Sequence, residues 1–267
     1  MQVIKAVTKR GDRDENEDTY GCIENAFWVI DGATDLFDLG LSKGDDVAFY
    51  VQNLSHEISG NFNINKSLSE IVREAILGTN KKCKIDTTMY ETYKFPSFAI
   101  AIVRYTDNRL EYLVLGDCSI IAKVNGEIIE ITDTRIAEFS DLNKKGIEKM
   151  REQGTLNHNS ELSLFQRTRS YMNIENGYWI GSVDPVGVSH ALTGEFEIDD
   201  KTQIICCTDG FIEAFKTFNI SEINEETFDD KILEKIENEL RKRQDGDCNR
   251  NITRVRVKDD LTYILAR

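Results

Sequence analysis

Apolar residues recur along the chain in short runs bounded by polar or glycine punctuation: VIKAV, AFWVID, SFAIAIVRYT, LEYLVLG, SIIAKV, EIIEIT, QIICCT and LTYILA. Each run is β-branched, aromatic or alternating, the pattern of a strand with at least one face to bury. KVNGEII carries Asn125-Gly126, a strong signal for a two-residue hairpin, because its turn needs positive φ at both positions. YTDNRLEYL predicts a second turn between neighbouring strands. Strands joined in this way pair antiparallel.

Elsewhere the apolar spacing changes to three and four. Val47, Val51, Leu54 and Ile58 predict a helix over about 43–59. Ser67 and Glu70 read as a capping box ahead of Leu68, Ile71, Val72, Ala75 and Ile76. Phe228, Ile232, Leu233, Ile236 and Leu240 form a stripe over about 225–243, with mixed charge around it, so a covering helix is expected rather than a membrane contact. The stretch from about 134 to 176 is less regular, with a short helix near 143–153 and then polar sequence. It is expected to be an irregular flap, since long irregular segments in compact domains are commonly functional loops. No repeat or low-complexity linker divides the chain, and Pro96 and Pro185 mark no boundary, so 1–267 is read as a single domain. Strands that need cover and amphipathic helices to supply it predict a layered α+β fold.

Composition narrows the partners. The chain is 40% hydrophobic and 30% charged, an ordinary globular balance, but its formal net charge is −14. Nucleic acid and anionic membranes call for basic patches, so neither is expected as a partner. The six cysteines at 22, 83, 118, 206, 207 and 248 form no CxxC pair, which fits reduced thiols and a cytoplasmic home. The start MQVIKAVTKRGDRDE lacks a signal-peptide core, and no apolar run approaches the ~18 residues of a membrane span. Only three histidines occur, His56, His158 and His190, which argues against a histidine-based zinc site or a Ser-His-Asp triad. His56 is expected at the surface, His158 in a solvated loop and His190 at a strand entry. Trp179 is expected in the core, and Arg167 and Arg169 in solvent.

Candidate chemistry lies in the carboxylates. Three apolar runs stop on an aspartate, at Asp31, Asp117 and Asp209, and a fourth strand is entered through Asp259 and Asp260. Aspartate is a common turn former, so one such position says little. Several gathered at one sheet edge would repel unless cations or protons held them. Oxygen ligands without nearby His or Cys indicate Mg²⁺, Mn²⁺ or Ca²⁺. RGDRDENEDTYG has the opening rhythm of a calcium loop, but the sixth and twelfth places counted from Asp12 hold Glu17 and Ile23, where Gly and Glu are required.

The pieces RDENED, VIDGAT, LGDCS, CCTDGF and DDLTYIL follow one another over residues 13–265. As an ordered set they resemble the metal-dependent serine/threonine protein phosphatases of type 2C. The resemblance implies a four-layer α-β-β-α sandwich, two mostly antiparallel sheets flanked by helix pairs, with two Mn²⁺ or Mg²⁺ ions in a cleft at one end. It implies that Asp31 bridges the metals, with the Gly32 carbonyl as a further ligand, and that Asp209 and Asp259 complete the second metal. Glu17 and Asp18 would bind directly or through water. Arg13 would clamp the substrate phosphate, and Asp117, with Glu213 as partner, would hold a more labile third metal. The implied reaction is attack of a metal-bridging hydroxide on phosphoserine or phosphothreonine in a protein, the product of a Ser/Thr kinase, by a monomeric enzyme. Ala33, Thr34 and Asp35 follow the Asp-Gly where relatives carry glycine or histidine, Ile120 replaces a basic residue, and Asp260 an asparagine. These departures motivate the alternative, a catalytically weak or inactive phosphatase-fold binding module.

Overall fold

The computed structural model describes residues 1–106, 108–247 and 257–267. Cys248 and residue 107 of the YTDNRLEYL turn lie outside the described residues. Two antiparallel sheets face each other. The first has the order β1 (Val3–Lys9), β11 (Leu261–Ala266), β10 (Gln203–Cys207), β6 (Ser119–Val124), β7 (Glu127–Thr132). The second has the order β2 (Asp18–Ile23), β3 (Ala26–Ala33), β4 (Ser97–Thr106), β5 (Arg109–Leu115), β9 (Leu192–Glu197), and the two-residue β8 (Gly181–Ser182) pairs with β4.

The two-residue alternation of a strand sends successive side chains into different layers. From β3, Phe27 and Val29 enter the space between the sheets, while Trp28 and Ile30 face outward. From β4, Ala99, Ala101 and Val103 point inward and Phe98, Ile100 and Ile102 outward. Helices α1 (Asp46–Asn61) and α2 (Leu68–Cys83) cover that outer face with Val47, Val51, Leu54, Ile58, Ile71 and Ile76. On the other sheet, Ile204, Cys206 and Ile264 point inward, whereas Ile205, Cys207, Tyr263 and Leu265 meet α5 (Asp209–Lys216) and α6 (Asp230–Gly246). The result is the expected four-layer α-β-β-α sandwich, and strands buried on both faces explain their nearly unbroken apolar sequence.

Local signals act as the sequence suggests. Asn125 (φ 53°) and Gly126 (φ 82°) close the β6–β7 hairpin in the left-handed region. The Ser67–Glu70 capping box starts α2. The 225–243 helix divides into a 3-10 turn, Glu225–Phe228, and α6, which Asp229 caps.

The expectation of a 134–176 segment that is irregular apart from a short helix near 143–153 is corrected in extent. It holds α3 (Ala137–Glu152) and α4 (His158–Arg169), joined by a short turn. Their burial is confined to Ile147 in α3 and to Leu164 and Arg169 in α4, so neither carries the broad apolar stripe that marks a helix in sequence. They pack on each other where Gly146 leaves room: a Cβ there would stand 2.7 Å from Leu164 Cδ2. His190 ends a 3-10 helix, Pro185–His190, rather than entering a strand, and stacks on the half-buried Trp179 ring at 3.4 Å.

Candidate metal centre

The strand ends that carry aspartates meet at one end of the sandwich. Antiparallel pairing sets Asp18, opening β2, directly opposite Asp31 near the end of β3. In the facing sheet, Cys207 of β10 pairs with Ser119 of β6, which brings Asp117 beside the strand end that leads into Asp209. β11 runs antiparallel to β10, so Asp259 and Asp260 arrive at the same edge. Asp31, Gly32, Asp117, Asp209 and Asp259 line a single cavity of about 190 Å³.

The surrounding backbone is fastened to hold this geometry. Gly32 N–H donates to the Glu17 carbonyl (3.0 Å), and a Cβ on Gly32 would lie 2.4 Å from that oxygen, so only glycine permits the approach. Asp260 accepts from Gly11 N–H (2.6 Å) through one carboxylate oxygen and from Glu17 N–H (2.7 Å) through the other. The Asp18 carboxylate accepts from the Thr208 hydroxyl at 2.8 Å, and Thr208 is itself held by Thr262 N–H donating to its Oγ1 (3.0 Å).

Such a cluster opposes its own ionisation. Asp31 is pushed well above the ordinary carboxylate range, first by burial and then by the charges of Asp18, Asp209, Asp117 and Asp259. Burial likewise raises Asp18, against the stabilising hydrogen bond from Thr208. Asp209 is raised by burial and by Asp117 and Asp259, with Glu213 adding to it. Asp117 is raised mainly by burial. A cluster of this kind holds together only with a proton or a cation among its carboxylates. A divalent cation would replace that proton, and the all-oxygen donor set of half-buried and buried carboxylates fits Mn²⁺ or Mg²⁺.

Besides Asp18, three expected residues sit around this cavity rather than in its lining. Glu17 is fully buried and its Oε1 accepts from Asp35 N–H and Arg13 Nη1, each at 3.1 Å. Arg13 also lies 3.5 Å from Asp45 and lines a neighbouring cavity with Thr34, His158 and Phe165. Glu213 is half-buried and accepts from Gln244 Nε2 at 2.9 Å. Ile120 packs in the core between the sheets, so the missing basic residue there concerns packing and not the cavity.

Arg169, expected in solvent, lies elsewhere. It is buried in the wall of the aspartate cavity, where its Nη2 donates to the Thr34 carbonyl at 3.1 Å. Burial disfavours its charge, and Tyr178, Glu17 and Asp35 offset that effect. Thr34 thus separates two arginines, Arg13 on one side and Arg169 on the other. α4 docks onto this loop a second time, through Gln166 Nε2 donating to the Leu36 carbonyl (2.8 Å). The signal that could have placed α4 is its Asn157–Ser160 capping box.

No protein-family model and no curated protein sequence matches the chain. Solved structures do. The serine/threonine phosphatase Stp1 from Staphylococcus aureus aligns with a TM-score of 0.55 and 16% identity, covering 100% of this chain and 95% of that one. The PPM Ser-Thr phosphatase MsPP from Mycobacterium smegmatis, in complex with cacodylate, aligns at 0.51 and 15%, covering 99% and 98%. The catalytic domain of the serine/threonine protein phosphatase PstP, in complex with two manganese ions, aligns at 0.52 and 14%, covering 98% and 95%. At this identity the likeness is one of architecture, and the chain has the fold of the PPM serine/threonine phosphatases.

Proposed function

We propose that the protein is a Mn²⁺- or Mg²⁺-dependent phosphatase of phosphoserine and phosphothreonine in proteins. The observation that carries this reading is the gathering of Asp31, Asp117, Asp209 and Asp259 from separate strand ends into one cavity, with Asp18 buried behind Asp31. Asp31, the Gly32 carbonyl, Asp209, Asp259, Glu17 and Asp18 are the residues that would hold two ions, and Asp117 with Glu213 a third. Two such ions supply Lewis acidity and bring the pKa of water at the site toward neutrality.

The chain's own groups account for the rest. A phosphate dianion approaching this many carboxylates is repelled unless cations intervene, and Arg13 and Arg169 stand on either side of Thr34 to receive its oxygens. The cavity is smaller than the ~300–1,000 Å³ of a drug-sized pocket, so it admits a phosphoryl group with its nearest atoms and leaves a protein substrate outside. Leu36, Ile136, Phe139 and Phe165 give it an apolar wall that limits water around the reacting phosphoryl. A cysteine nucleophile is disfavoured: Cys118 is buried beside Asp31, and burial pushes its thiol well above the ordinary range.

Hydrolysis of a small aryl phosphate and of phosphoserine peptides should require added Mn²⁺ or Mg²⁺, and Asp31→Ala or Asp209→Ala should abolish it. Metal-loaded wild type that binds phosphopeptide without turnover would replace this reading with the non-catalytic binding module.

A further inference from the structure

A second group of carboxylates lies outside the cavity, in the loop between β3 and α1. One oxygen from each of Asp35, Asp38 and Asp46 falls within 4.8 Å of the others. Acidic loops are common without ions, and the burial of Asp46 is what sets this one apart. Asp46 opens α1 and is 2% exposed. Its Oδ1 accepts from Ser42 N–H at 2.8 Å, whereas its Oδ2 is buried with no hydrogen-bond partner. A carboxyl oxygen withdrawn from water without a partner is costly, so native structures pair such groups with donors or metals.

Among the described residues, no lysine, arginine or histidine forms an ion pair with any of the three. The nearby Arg13 is engaged by Glu17 and Asp45 instead. Asp35 Oδ1 accepts from the backbone N–H groups of Phe37 and Asp38, which closes a tight turn that holds Asp35 and Asp38 together. Asp38 is exposed, so the third carboxylate stands on the open side, where an ion can enter and keep waters.

We propose that Asp35, Asp38 and Asp46 form a second site for a hard divalent cation, distinct from the aspartate cavity, that ties this loop to the start of α1. Three carboxylate oxygens and no nitrogen or sulfur donor select Ca²⁺, Mg²⁺ or Mn²⁺ over zinc. The site bears on the cavity through the same loop, since Asp35 N–H donates to Glu17 Oε1 and the Thr34 carbonyl receives Arg169. An ion here fixes the segment that separates the two arginines. The inference does not depend on the phosphatase reading, because it concerns binding and not turnover.

The test is calorimetric titration of the full chain with Mn²⁺ and, separately, with Ca²⁺. An Asp31→Asn/Asp209→Asn double variant weakens the cavity site and should retain one cation that raises the melting temperature. Adding Asp38→Asn to that background should weaken the retained binding by about tenfold or more, because affinity follows the ligand charge count. Asp38 has φ 45°, a conformation asparagine tolerates, so this exposed variant folds even where Asp46→Asn does not. Retained binding that is indifferent to Asp38→Asn, or a double variant that binds no cation, overturns the proposal. Loss of turnover in any of these proteins has no bearing on it.

Discussion

At the scale of single residues, Asp260 shows how a departure from the family pattern can be structural. Its two oxygens accept from two different backbone N–H groups, those of Gly11 and Glu17. An amide has one acceptor oxygen, so asparagine would leave one of these donors facing an NH₂ group. Asp260→Asn should therefore cost about 1–3 kcal/mol, read as a lower urea midpoint at unchanged slope. Because Glu17 rides on the tethered segment, the variant should also need more Mn²⁺ for half-maximal activity. Arg169 gives a second prediction at this scale. If its guanidinium receives phosphate oxygens, Arg169→Lys removes the bidentate fork while keeping the charge. The loss of a charge-assisted hydrogen bond, about 1.5 kcal/mol, corresponds to roughly a tenfold rise in KM and in the inhibition constant of inorganic phosphate. A change confined to kcat would assign Arg169 to holding Thr34 instead.

Elements are held by two different means, and this decided which were legible. α2 announces itself: Ser67 Oγ accepts from Glu70 N–H, and Glu70 Oε2 accepts from Ser67 N–H. Ser67→Ala should lower stability by ~1 kcal/mol and leave hydrolysis unchanged, since the cap is exposed and lies in a helix that contributes nothing to the cavity. The strands buried on both faces were equally plain. β2 was not, because DTYGCI carries little apolar weight and is recruited by pairing with β3, where Gly21 makes room for the Trp28 ring. β9 is an edge strand with Glu195 and Glu197 on it, the charge that protects edges and also hides them from a hydrophobicity pattern. α3 was legible only as a short helix near 143–153, and α4 was missed, because their few buried residues meet each other and the 34–36 loop rather than a sheet. The same cause explains the site. Its aspartates could be read locally, as strand-end residues in a fixed order, whereas the burial of Arg169 depends on where α4 docks, which no local pattern encodes.

For the whole molecule, the aspartate cavity makes stability depend on pH and metal together. Asp18, Asp31, Asp117 and Asp209 all have folded values raised above the ordinary 3.8. Between 3.8 and those raised values the folded chain binds more protons than the unfolded one, so stability falls as pH rises through the window and stays reduced above it. Carboxylates held below their ordinary values, such as Glu70, Asp86 and Glu239, act in the opposite sense, but they are exposed and screened. The chelator-treated protein should therefore melt at a lower temperature near neutral pH than in mild acid. The net charge of −14 adds self-repulsion of the same sign, which a comparison of variants removes. Without metal, Asp31→Asn should be more stable than wild type at neutral pH and show a shallower pH dependence, because a neutral amide ends the repulsion with Asp18 and Asp209. With Mn²⁺ the order should reverse. Wild type gains about 2.7 kcal/mol at a hundredfold excess over its dissociation constant, and the variant, lacking the central carboxylate, gains much less. Thermal melts of both proteins across pH, with chelator and with Mn²⁺, measure this crossing directly. Parallel melting curves would mean that the four carboxylates are satisfied within the protein and that the cavity is not built around a cation.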